Sequence, residues 1–152
     1  MKFSIKNIPA TTAVAAALLF SSGIYALSSQ EAVAAEPHLE KAIQEGKSLF
    51  FNETFAGNGK NCVSCHVNGG VGPGKAPNGD AIPSLSNAAT IFPRFNAKEN
   101  KVITLEGQVI RCIGGGIEGK PPAYGSEQLI QLVTYVTSLA QGKPLDMGGK
   151  PQ

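Results

Sequence analysis

Cys62-Val63-Ser64-Cys65-His66 constrains this chain more than any other run of its 152 residues. Two thiols two residues apart, followed at once by a histidine, form the attachment signature of a c-type haem. The spacer lets both sulfurs reach one edge of a porphyrin and add across its two vinyl groups. The imidazole of His66 then falls on the proximal side of the ring and ligates iron. A Cys-x-x-Cys without the histidine would leave zinc binding or thiol redox chemistry open. One motif implies one covalent haem, so the chain has to fold around a broad, flat, apolar group.

The N-terminus agrees with that reading. Lys2 and Lys6 form a basic start, Ala13 to Tyr25 form a short apolar stretch, and Ala32-Val33-Ala34-Ala35 offers a small-residue cleavage site before Glu36. Residues 1–35 are expected to be a signal peptide for the general secretory route, leaving 36–152 as a monohaem domain in the periplasm. Ser21, Ser22 and Gly23 interrupt the apolar stretch, and spanning a bilayer takes roughly 20 largely apolar residues. An uncleaved leader acting as an anchor is therefore the less favoured alternative. Without the leader the chain keeps 11 basic and 10 acidic residues, so no charge excess points to nucleic acid or an acidic membrane. Reduced thiols do not persist outside the cytoplasm without a purpose. Haem accounts for Cys62 and Cys65; Cys112 is left over and asks for a role.

Beyond the leader the pattern is helical. Leu39, Ala42, Ile43, Gly46, Leu49 and Phe50 recur at three- and four-residue steps, which predicts a helix over Pro37–Phe51. Pro37 suits the first turn, where a missing N–H costs nothing. Gly46 weakens a helix by about 1 kcal/mol against Ala, and close approach of a second helix would explain its presence. A stretch dense in Gly, Pro and Asn runs from Val67 to about Asn100. So long a loop is unusual in a compact domain unless it wraps a porphyrin. Thr104–Ile113 reads as a short helix with Leu105, Val109, Cys112 and Ile113 on one face, ended by Gly114-Gly115-Gly116. Ser126–Ala140 reads as the last helix, with a stripe of Leu129, Leu132, Val133, Val136 and Leu139 widened by Ile130 and Tyr135. The tail from Lys143 to Gln152 reads as loosely held. No strand pattern stands out. The expected fold class is all-α, and the element order resembles the small class I cytochromes c, whose first and last helices cross near the haem.

The second axial ligand is to be found among Cys112, Met147 and His38, or the position is open. Met stabilises ferrous haem and raises the potential, but Met147 follows the last helix, whereas in the class I pattern the Met precedes it. His38 opens the first helix and reads as a surface residue. Cys112 lies between the wrapping loop and the last helix, on an apolar face, beside glycines that permit close backbone approach. It is the preferred sixth ligand, with Met147 the runner-up. A thiolate favours ferric iron and should set a low potential.

Phe92-Pro93-Arg94-Phe95-Asn96, Leu105-Glu106 and Cys112 carry a closer likeness. This segment resembles the haem domains of thiosulfate dehydrogenases and of SoxA-type sulfur-oxidation cytochromes over roughly residues 48–142. The resemblance implies Cys62, Cys65 and His66 as haem-binding residues and Cys112 as an axial thiolate standing beside the sulfur substrate. Two departures matter. The family pattern has Arg four residues before the Cys, where this chain has Gln108, and Arg-Ser after it, where this chain has Gly115 and Gly116. Arg offers oxyanions a planar fork of donors. Arg111 and Lys120 are the remaining candidates.

The thinned anion clamp and the single haem motif favour an electron carrier in thiosulfate or tetrathionate metabolism over an enzyme. Its redox partner would be another c-type cytochrome or a terminal oxidoreductase. If catalytic, with Cys112 taking part, it would be a thiosulfate dehydrogenase-like oxidoreductase. The third reading is a sensor or carrier of sulfide or nitric oxide.

Overall fold

The computed structural model describes residues 29–152. The basic start and apolar stretch of the expected leader lie outside the described residues. Helix α1 spans Ser29–Asn52. Then come a 3-10 turn at Cys62–Ser64 and another at Asn68–Gly70. Strands β1 (Gly74–Lys75) and β2 (Ala81–Ile82) form one ribbon, and helix α2 covers Ala88–Ile91. Strands β3 (Arg94–Asn96) and β4 (Lys101–Ile103) form a second ribbon. Helix α3 (Leu105–Arg111) runs into a π-helical turn at Cys112–Gly116, and α4 (Glu127–Ser138) closes the chain. Among the described residues no helix is long and apolar enough to cross a membrane.

The architecture is mostly helical, as the periodicity implies, and α1 packs most extensively against α4. Gly46 makes that crossing close. A methyl group at Gly46 would overlap the carbonyl of Gln131 and press on Cβ of Tyr135. Phe50, one turn on, stacks against Tyr135 at 5.2 Å between ring centroids. The Tyr135 hydroxyl donates to the Gly69 carbonyl at 2.9 Å. Gly69 and Gly70 sit at φ 65 and φ 98, in the left-handed region that suits glycine. The crossing thus carries on directly into the turn that follows the haem motif. Around it, Phe50, Ile113, Leu132, Tyr135 and Val136 form one buried cluster.

Several expectations are corrected. Pro37 lies inside α1, eight residues beyond its start. The upstream Ala-rich segment continues the helix, and the carbonyl that loses its donor to Pro37 is on an exposed stretch where water can satisfy it. Leu39 and Ile130 are exposed, since the crossing ends before one and faces away from the other. Helix α3 stops at Arg111, and Cys112 begins the π turn. The chain also has strands. Both ribbons are antiparallel, pairing Gly74 with Ile82 and Phe95 with Val102. Strands of two and three residues are too short to display a period of two.

The tail is the largest correction, because it is held. Asp146 and Gly148 donate to the carbonyls of Thr90 and Ile91, both at 2.9 Å. A four-residue helix leaves its carbonyls without internal donors, so α2 offers acceptors. Asn87, buried beside it, donates from Nδ2 to the Lys150 carbonyl at 2.9 Å and accepts from the Gln152 amide. Ser84, also buried, donates its amide to the Gln152 carbonyl at 2.7 Å.

Gly46→Ala should destabilise the haem-loaded protein by about 1–3 kcal/mol, the range for overpacking a close contact. Chemical denaturation reads it, and unchanged stability would mean that α1 and α4 do not meet at Gly46.

Candidate haem site

The haem motif is built as a tight turn. Asn61 caps it, accepting from the Ser64 amide at 3.2 Å, while Ser64 Oγ accepts from the Asn61 amide at 3.1 Å. Asn61 Nδ2 also donates to the carbonyl of Phe51 at 2.6 Å. One side chain therefore ties the turn to the C-terminus of α1. The Cys65 and His66 amides both donate to the Cys62 carbonyl. Gly74 passes so near the Cys65 carbonyl that any side chain there would collide with it. These contacts fix the three residues relative to one another.

Cys62, Cys65, His66 and Cys112 line one cavity of about 870 Å³, within the roughly 300–1,000 Å³ usual for bound organic groups. Phe50, Leu85, Ile91, Val109 and Leu132 supply apolar wall, and Pro151 of the tail completes it. Met147 and His38 are exposed and do not line the cavity. Lys120 is exposed and stands outside it as well. The structure therefore brings together the three motif residues and Cys112, and leaves apart the other sixth-ligand candidates.

The electrostatics suit a metal-bearing group. Burial holds the His66 pKa below its ordinary value, which keeps the ring neutral and able to ligate. His66 Nδ1 is the buried side-chain nitrogen that lacks a hydrogen-bond partner among the described residues. Burial pushes the Cys62 thiol up to about 12, and the nearby Cys112 adds to that. The Cys112 pKa is also raised, chiefly by burial, with the Gln108 hydrogen bond and then Arg111 opposing it. Cys112 presents accessible surface to the cavity, while protein packed behind it keeps bulk water away. A cation in the cavity would favour its thiolate. Three sulfurs, a neutral imidazole and apolar walls fit a haem.

Two residues named in the sequence have roles that were not read there. Gln108 Nε2 donates to Cys112 Sγ at 3.2 Å; the spacing of four residues on a helix is the signal that could have found it. Arg94 lines the cavity and lies over the Phe92 ring at 5.7 Å. The oxyanion candidate Arg111 also lines the cavity, and its Nε donates to Glu99 at 2.6 Å.

The family model for the SoxA/TsdA cytochrome c domain matches residues 45–145. The chain belongs to this family. Thiosulfate dehydrogenase from Thiomonas intermedia (strain K12) is 30% identical over 111 residues, 70% of this chain and 33% of that protein. The L-cysteine S-thiosulfotransferase subunit SoxA of Chlorobaculum tepidum is 29% identical, over 84% of this chain and 40% of its own length. This chain thus spans well under half of either relative. The fold is shared with thiosulfate dehydrogenase (TsdBA) from Marichromatium purpuratum, at a TM-score of 0.56 and 22% identity over 72% of this chain and 24% of that one. SoxXA from P. pantotrophus gives 0.55 and 17% over 71% and 36%. As a SoxA/TsdA cytochrome c domain, the protein carries a covalent c-type haem.

Replacing both Cys62 and Cys65 by Ala should make the haem fully extractable into acidic acetone, whereas the unaltered protein keeps its colour after denaturation. Colour lost from the unaltered protein would disprove thioether attachment.

Proposed function

We propose that this SoxA/TsdA-family cytochrome is a periplasmic one-electron carrier in thiosulfate or tetrathionate metabolism, with His66 and Cys112 as its axial ligands. The observation that carries this reading is the shared cavity: the Cys112 sulfur lines the same wall system as the haem motif, while Met147 and His38 do not. The haem supplies reversible one-electron chemistry. The protein's own residues set its conditions. Cys62 and Cys65 tether it, and the capped turn at Asn61 holds the imidazole of His66 in place. Ile91, Leu132 and Val136 keep water from the cavity, which limits the solvent reorganisation that each electron transfer must drive. A thiolate from Cys112 favours the ferric form and lowers the potential.

A carrier is favoured over an enzyme by the state of the cations. Catalysis on thiosulfate needs a donor aimed at its oxygens beside the reactive sulfur. Next to Cys112, Gln108 is neutral and the guanidinium of Arg111 pairs with Glu99, which also binds Lys101 at 2.7 Å; the other guanidinium on the cavity wall, that of Arg94, lies over the Phe92 ring. Electrons leaving this single haem would pass to another c-type cytochrome or a terminal oxidoreductase.

The oxidised protein should show a low-spin, six-coordinate paramagnetic-resonance spectrum. Cys112→Met should keep the iron low-spin and raise the midpoint potential markedly. A high-spin, five-coordinate signal in the unaltered protein would rule out Cys112 ligation. The purified protein should also fail to reduce ferricyanide with thiosulfate, and sustained turnover in that assay would make it an enzyme.

A further inference from the structure

Gln108 lies one helical turn before Cys112, half-buried on the cavity side of α3. Its amide reaches the Cys112 sulfur at 3.2 Å. The backbone at Cys112 is held by helical bonds, its amide donating to the Gln108 and Val109 carbonyls and its carbonyl accepting from the Ile117 amide, so what is left to fix is the direction of the side chain. Cys112 opens the π turn, and the glycines that follow it leave open space, since a side chain at Gly115 or Gly116 would meet nothing. The neighbouring Arg111, which also lines the cavity, is paired through Nε with Glu99. One neutral donor therefore both orients Sγ and draws electron density from it.

We propose that Gln108 is a positioning residue for the axial sulfur, fixing its direction and moderating its donation to iron. The proposal rests on Cys112 ligation as argued above. A hydrogen bond to a metal-bound sulfur reduces its basicity and stabilises the more reduced metal. In this chain that effect opposes the low potential a bare thiolate would impose. Because the donor carries no charge, it does so without creating an anion-binding group next to the ligand.

The test uses the haem-loaded protein and the variants Gln108→Leu, Cys112→Ala, Cys112→Met and the Gln108→Leu/Cys112→Met pair. Leu is a good helix former of similar size, so α3 should persist in Gln108→Leu. The expected result is a retained low-spin spectrum with altered g-anisotropy and a lower midpoint potential in Gln108→Leu. The same replacement in the Cys112→Met background should leave the potential where it was. Equal potentials in the unaltered protein and Gln108→Leu, with Cys112→Ala changing the spectrum, would overturn this proposal and leave the ligation standing. An equal shift in the Cys112→Met background would also overturn it, since the effect would then come from cavity polarity. An unchanged spectrum in Cys112→Ala would remove the ligation itself, and this proposal with it.

Discussion

The approach of α1 to α4 at Gly46 governs where everything else lies. Two helices can come this close only where one offers no side chain, and the Gln131 carbonyl takes up that space. The contact brings Phe50 onto Tyr135, and Phe50 in turn lies 6.1 Å from the His66 ring. Tyr135 reaches on to the Gly69 carbonyl, so a single aromatic side chain links the crossing to the segment just past His66. Asn61 links the other end of the motif to the last turn of α1. The haem motif is thus clamped at both ends by groups that the helix crossing positions. Cys62, Cys65 and His66 line one cavity because the surrounding backbone has little freedom to face them elsewhere.

The other wall of the cavity is assembled by weaker means. Short ribbons, a four-residue helix and the C-terminal tail would bury too little surface to be stable apart. They hold one another through specific hydrogen bonds, such as those from Asp146 and Gly148 to α2. An apolar group between the two walls would supply what these elements lack, since each face of it removes apolar side chains from water. The cofactor in such a chain is part of the core as much as it is the redox centre.

How much of this was legible in the sequence follows from the range of the interactions involved. Cys62, Cys65 and His66 are consecutive in function and nearly so in sequence, so the motif announces itself. Helices α3 and α4 were readable because caps are local: Thr104 accepts from the Gly107 amide and Ser126 from the Leu129 amide. The role of Gly46 was legible as a cost without a local benefit. The tail was not readable, because Asn87 meets Lys150 and Gln152 across more than sixty residues and no periodicity records such a meeting. Pro37 misled for a related reason. Its preference for a first turn is a statement about local cost, and an exposed helix can bear that cost where water reaches the orphaned carbonyl. The departures at Gln108, Gly115 and Gly116 were visible as letters, but what they did to the site was not.

Those letters matter most for how the site divides its labour. A reactive sulfur beside iron needs a choice between holding the metal and meeting a substrate. Cations near the sulfur favour the second, because they attract oxyanions and stabilise a thiolate that has left the metal. Next to Cys112 the guanidinium of Arg111 is paired with Glu99, the adjoining donor is an amide, and three glycines follow. Each of these features weakens attraction for an anion, and none of them blocks the ligation of iron by Cys112 proposed above. On the proposed reading, a family frame keeps its axial sulfur while the oxyanion donors next to that sulfur are thinned, which suits the movement of an electron better than turnover of an anion.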